Sequence, residues 1–134
     1  MVFKDPQVNL YSADVPQAIA FYCEHFGFVE TFRTPTEGTP QHVELRLGGL
    51  VLGIASIKAA IAVHGLPAGS GPARAEIVLW TDEDVDTIYA DLLAKGVPPL
   101  IAPHDFIGRL RAAWVQDPDG VPVQIVREIA PQAE

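Results

Sequence analysis

A chain of 134 residues with 49% hydrophobic and 19% charged side chains has the make-up of one folded domain, or of two half-domains sharing a core, and not of a disordered segment. A formal net charge of −8, with 9 Lys and Arg that form no run, excludes nucleic acid as an expected partner, because phosphate binding needs clustered cations. The single cysteine, Cys23, excludes an internal disulfide and a CxxC metal knuckle, while the acidic balance suits either simple solubility or a cationic ligand.

The start, MVFKDPQVNLY, holds no apolar core of signal-peptide length, and no stretch approaches the ~20 apolar residues of a membrane span. A cytoplasmic protein without membrane contact is expected. Gln7–Ser12 alternates, with Val8 and Leu10 opposite Gln7, Asn9 and Tyr11, which predicts a half-buried strand. Asp14 then opens a helix with Pro16 in its first turn. Val15, Ile19, Tyr22 and Phe26 recur at helical spacing, and Gly27 ends it. Phe28–Arg33 is the second strand. After the turn-rich segment Thr34–Gln41 comes His42–Leu47, where Val43, Leu45 and Leu47 oppose His42, Glu44 and Arg46. Gly48-Gly49 turns it into a fourth strand, Leu50–Ala55.

Ser56–Arg74 is rich in Gly, Pro and Ser and reads as a connection, with a short helical turn around Ile57–Val63. It is either a plain linker or a flap over a binding site. The plan then repeats: a strand at Glu76–Trp80, and a helix opened by Asp82, carrying Val85, Ile88, Leu92 and Leu93, and closed by Gly96. A Pro-interrupted strand, Val97–Ala102, precedes Leu110–Gln116 and Val121–Arg127. Between the last two lies Asp117-Pro118-Asp119-Gly120, with Pro at the second turn position and Gly where a left-handed residue closes a bulged hairpin. Gly49-Leu50-Val51-Leu52-Gly53-Ile54 echoes Gly120-Val121-Pro122-Val123-Gln124-Ile125. A duplicated βαβββ module is the economical account: module 1 about 6–56, linker 57–74, module 2 about 75–129, all within a single domain spanning 1–134.

A doubled βαβββ unit with LYSADVPQAIAFYCEHFGF near its start and WVQDPDGVPVQIV near its end resembles the vicinal oxygen chelate superfamily, which includes glyoxalase I, bleomycin-resistance proteins and extradiol dioxygenases. The resemblance implies an α+β fold in which the duplicated modules form an open, barrel-like cleft. Val8, Leu10, Leu52, Ile54, Ile77, Leu79, Val123 and Ile125 would pack beneath helices. Gln7, Asn9, Tyr11, Gly53, Glu76, Val78, Trp80 and Gln124 would look into the cleft. It also implies a homodimer. The family's activities differ too widely for the fold to select one.

Metal-dependent members of that family take ligands from the first and last strands of each module, positions that fall here on Gln7, Gly53, Glu76 and Gln124. Histidine is missing from all four, and Gly53 has no side chain. Gln7, Glu76 and Gln124 bring one carboxylate and two amides, a set suited to weak, hydrated Mg or Ca rather than to Zn, Ni or Fe. No catalytic transition metal is expected, with a divalent ion on those three residues as the alternative. His25, near the end of the first helix, and His64, in the connection, read as surface or hydrogen-bonded side chains; His42 and His104, on or beside strands, could reach the cleft, but neither stands at a family ligand position and the same structural role is expected of them.

Glu76, flanked by Val78 and Trp80, would be partly desolvated, raising its pKa towards that of a general base; a salt bridge to Arg46, Arg109 or Arg111 is the competing role. Trp80, Trp114, Tyr11 and Phe106 offer an aromatic wall for a planar ligand, or core packing. Arg111 would read a ligand carboxylate or bridge to Glu44 or Glu76. Cys23 reads as a small apolar filler. Asn9, Tyr11, Trp80, Phe106, Arg111 and Trp114 are thus the candidate ligand-binding residues, and Glu76 the candidate catalytic one. The expected function is metal-independent binding of a small molecule. The alternative is a metal-assisted lyase, isomerase or dioxygenase using Glu76.

Overall fold

The computed structural model describes residues 5–69, 71–73 and 75–130. Ser70 and Arg74 of the predicted connection, and the first four residues read for a leader, lie outside it. The chain divides into two units, one running up to Gly71 and the other from Pro72 onward. The first is β1 (Val8–Ser12), α1 (Val15–Phe26), β2 (Val29–Thr34), β3 (His42–Leu47), β4 (Leu50–Ser56) and α2 (Ile57–His64). The second is β5 (Ile77–Trp80), α3 (Val85–Ala94), β6 (Pro99–Phe106), β7 (Leu110–Gln116) and β8 (Pro122–Glu128).

Each unit holds a four-stranded sheet of the same topology, ordered β1-β4-β3-β2 in the first and β5-β8-β7-β6 in the second. In each, the first strand runs parallel to the last and the other pairs are antiparallel. The duplicated α+β plan is therefore present strand for strand.

Alternation decides which face of each sheet meets its helix. In the first unit Val43, Leu45, Leu52 and Ile54 are at most 1% exposed, and α1 turns Val15, Ala18, Phe21 and Tyr22 inward. Burying each large aliphatic side chain contributes about 1.5–3 kcal/mol. Phe21, Tyr22 and Phe28 meet edge to face, with ring centroids 5.0 and 5.6 Å apart along that chain of contacts. The Asp14 carboxylate accepts from the Gln17 N–H at the helix start, and Gly27 ends the helix in the left-handed conformation. In the second unit Val115, Val123 and Ile125 form the equivalent floor.

The Asp117–Gly120 turn takes the predicted form. The Gly120 N–H donates to the Asp117 carbonyl at 3.0 Å, and Gly120 has φ of 84°. Asp117 is buried, and its Oδ1 accepts from the N–H groups of both Asp119 and Val121 at 2.8 Å.

Several expectations are corrected. Val8 is 49% exposed at the start of an outer strand, and Leu79 is only half-buried. α3 is capped by Asp84, not Asp82: the Thr81 hydroxyl accepts from the Glu83 N–H and holds that turn outside the helix, while Asp84 receives the Thr87 N–H. The strand expected at Val97–Ala102 lies at Pro99–Phe106. Val97 is instead buried behind the helix end, donating to the Leu92 carbonyl. Pro99 and Pro103 are tolerated because β6 is an outer strand whose register shifts twice. The helical turn foreseen after β4 is an eight-residue helix, α2, with Ser56 capping the Ala59 N–H. Among the described residues no helix is long and apolar enough to cross a membrane.

Candidate functional site

In the first unit, the strand residues that do not face α1 put amides and imidazole side by side. Register pairs Asn9 with Gly53 and Gly53 with Glu44 across β1, β4 and β3. A β-carbon at residue 53 would collide with Oδ1 of Asn9, and it would lie 3.1 Å from Cε1 of His42. Gln7 Nε2 donates to the same Asn9 Oδ1 at 2.9 Å, and His42 Nε2 lies 3.8 Å from Glu44 Oε2. Glycine at 53 is what lets the asparagine lie flat on the sheet.

Beside this cluster is a cavity of about 280 Å³. Asn9, Tyr11, Thr34, Gln41 and His42 line it from the sheet and its turns, and Ala59, Ala60, Val63 and His64 from α2. The connection, for which a plain linker and a flap over a binding site are the two sequence readings, thus contributes α2 to the lining, while His64 itself was given no place in a site. The alternation of HVELRL did carry a signal for His42, since it set that residue opposite the core-facing Val43.

In the second unit, the face of the sheet opposite the buried Val115, Val123 and Ile125 carries an aromatic group. Trp114 stacks with His104 at 5.8 Å and 19°, and Phe106 lies 6.4 Å from the indole and 5.9 Å from the imidazole. The indole Nε1 donates to Glu76 Oε2 at 2.9 Å. In register, Gln124 lies between Trp114 and Val78, and it is buried. Of the predicted wall, the structure therefore unites Trp114 and Phe106, with His104 added. Trp80 sits apart, 64% exposed, in a surface depression with Asp82, Glu83 and Glu128. Tyr11 belongs to the first unit's cavity.

Glu76 and Arg111 are placed differently from expectation. Glu76 is exposed, so burial does not supply the desolvation foreseen for a general base, and its bonding partner among the described residues is Trp114 rather than an arginine. Arg111 lies an odd number of residues from Trp114 and so projects from the opposite face of β7. There it grips Asp86 of α3 through Nε and Nη2, at 2.6 and 2.8 Å, and Asp105 through Nη1 at 2.8 Å. Within its own unit it does not bridge to Glu76. These bonds, to Asp86 first and then Asp105, hold the guanidinium pKa above its ordinary value, and the bond from Arg111 holds the Asp86 carboxyl below its own. Cys23 is half-buried, and burial, then Glu30 and Glu24, pushes its thiol pKa up.

A model of the Glyoxalase/Bleomycin resistance protein/Dioxygenase superfamily matches residues 6–125. The chain belongs to this superfamily. Among solved structures, TioX from a Micromonospora species is 24% identical, with 94% of this chain and 100% of that one covered and a TM-score of 0.69. A glyoxalase-related enzyme from Fulvimarina pelagi is 22% identical over 94% and 89% of the two chains, with a TM-score of 0.76. Lactoylglutathione lyase from Agrobacterium tumefaciens is 20% identical over 92% of each chain, with a TM-score of 0.67. At these identities the likeness establishes the glyoxalase fold. No curated protein matches the sequence significantly.

At the four positions where the resemblance places ligands the chain carries Gln7, Gly53, Glu76 and Gln124, and none is a histidine. Residue 53 offers no donor and its side-chain space is filled by Asn9, while Gln7 is engaged with that same asparagine. Glu76 is the one carboxylate of the set and is bonded to an indole N–H. Among the described residues no three His, Cys, Asp or Glu side chains gather where they could hold a metal.

Proposed function

We propose that this glyoxalase-superfamily chain binds a small planar organic cation without a catalytic transition metal, using Glu76, His104, Phe106 and Trp114. The observation that carries this reading is the Trp114 Nε1 to Glu76 Oε2 hydrogen bond beside the stacked imidazole. Aromatic faces carry negative potential and attract cations, and a carboxylate at the ring edge adds to that attraction. Trp114 and Phe106 remain half-buried while the opposite face of their sheet is sealed, so ring surface is available to a ligand. The net charge of −8 favours approach of a cation.

The test uses a Trp80→Phe background, which leaves Trp114 as the single indole of the two in the chain. Titration with N-methylquinolinium should quench Trp114 saturably, and neutral quinoline should bind about tenfold more weakly or less. Glu76→Gln should weaken the cation by about tenfold, and EDTA should change nothing. Equal affinity in Glu76→Gln would overturn the reading. So would stoichiometric metal, by elemental mass spectrometry, that disappears in Glu76→Ala.

A further inference from the structure

We infer that His104 is a proton-operated gate on the aromatic group of the second unit: once protonated, its ring acts as the group's own cation on Trp114 and shuts out an external one. The inference rests on the cation-binding reading above and adds its regulation.

The ring is already in place. His104 lies stacked on the indole, 19° from parallel with centroids 5.8 Å apart, and Phe106 lies 5.9 Å from it. Its Nδ1 is 3.1 Å from the Ala102 carbonyl oxygen, a contact that is a hydrogen bond only when Nδ1 carries the proton. The neutral ring therefore holds its proton at Nδ1 and keeps Nε2 as its basic nitrogen. A second proton goes to Nε2, the bond to Ala102 is kept, and the ring changes charge without having to move.

The surroundings decide what that charge does. On this face β7 presents Leu110, Ala112 and Trp114, none of them charged. From β8 come the neutral Gln124 and, at the strand's end, Glu128, which pairs with Arg109 at 3.6 Å. On β6 itself Asp105 points to the opposite face, where it accepts from Arg111. Glu76, bonded to the indole N–H at 2.9 Å, is thus the carboxylate that belongs to the aromatic group.

With His104 neutral, the group carries one negative charge beside a π face that attracts cations. With His104 protonated, that carboxylate is balanced and the indole already holds an imidazolium. A ring has two faces but one π system, so a cation on one side weakens the attraction left for a cation on the other. The two positive charges also repel. His104 is exposed, so water screens the repulsion and limits it to a factor of about five to ten in affinity. Histidine is the side chain whose charge ordinarily changes between about pH 5 and 8, so the site should be open on the alkaline side of that window and closed on the acid side.

The test titrates N-methylquinolinium, whose charge is permanent, into the Trp80→Phe protein at pH 8.0 and at pH 5.5, both above the usual range of carboxylates. The Kd should rise about five- to tenfold at the lower pH. In His104→Gln the two Kd values should be the same, whatever affinity that variant has at pH 8.0. Without ligand, Trp114 emission should fall over the same interval, because an imidazolium in contact with an indole quenches it, and should not fall in His104→Gln. The His104 ring-proton shift, followed by NMR, should share its midpoint with the loss of affinity. Binding that does not weaken at pH 5.5, equal weakening in His104→Gln, flat emission, or separate midpoints would each overturn the gate and leave the cation reading standing. Absence of saturable binding at pH 8.0 would overturn the cation reading itself, and the gate with it. Should His104→Gln fail to fold, the two midpoints of the protein that retains His104 still decide the matter.

Discussion

Oδ1 of Asn9 occupies the volume that a β-carbon at residue 53 would need, so Asn9 and Gly53 form one complementary pair across neighbouring parallel strands. Gly53→Ala should therefore cost about 1 kcal/mol or less, because the exposed Asn9 side chain can swing aside at the loss of its bond from Gln7. Asn9→Ala combined with Gly53→Ala should recover part of that loss. Urea denaturation of the two single variants and the double variant measures the coupling. Strict additivity would show that the two positions do not share space.

Asp117 supplies a single oxygen to two backbone N–H groups in a buried turn. Asp117→Ala leaves both donors without that partner and should cost about 2–4 kcal/mol. Asp117→Asn keeps the acceptor oxygen and should lose less than half as much. Thermal and urea unfolding of the pair distinguish this hydrogen-bonding role from a role of side-chain charge, which would make the two variants equally unstable.

The Arg111–Asp86 pair makes an acid-side prediction. Asp86 has its pKa held below the ordinary value in the folded protein, first by the hydrogen bond from Arg111. Its contribution is present above the unfolded aspartate value of about 3.9 and is lost as pH falls through the lower folded value. The stability gap between wild type and Arg111→Gln should therefore be constant from pH 7 to about 5 and shrink below about 4. Both partners are solvent-accessible, so the effect should be modest and reduced by added salt. A gap that stays constant to the lowest pH would sink this account.

Local chemistry made most of the fold legible. Val43 and Leu45 alternate with His42 and Glu44, Asp14 and Gly27 bracket a helix, and Pro118 with Gly120 defines a hairpin, all within a few residues of one another. Boundaries slipped where two local signals competed. Thr81, Asp82 and Asp84 are all able to cap, and the Thr81–Glu83 hydrogen bond decided the matter in favour of Asp84.

The site was less legible because its partners are far apart in sequence. Trp114 and Glu76 are separated by 38 positions, and Arg111 and Asp86 by 25. Nothing local announces either pairing. One error was avoidable: the period of two along Leu110–Gln116 already separates Arg111 from Trp114, so the two could not serve one surface of the sheet. His104 was legible as a side chain within reach of the cleft, but its stacking on Trp114 was not, because β6 and β7 pair across register shifts that no local signal marks.

The register shifts in β2 and β6 bear on how the protein behaves when crowded with its own copies. Both strands end their sheets, and both are kinked, between Glu30 and Phe32 in one and at two points between Pro99 and His104 in the other. A straight, unpaired strand is a template on which a foreign chain can add itself and start an aggregate. Bulges and prolines spoil the evenly spaced row of donors and acceptors such growth requires. Phe32 and Ile101 thus lie exposed on margins whose broken register is ill suited to the addition of a further strand.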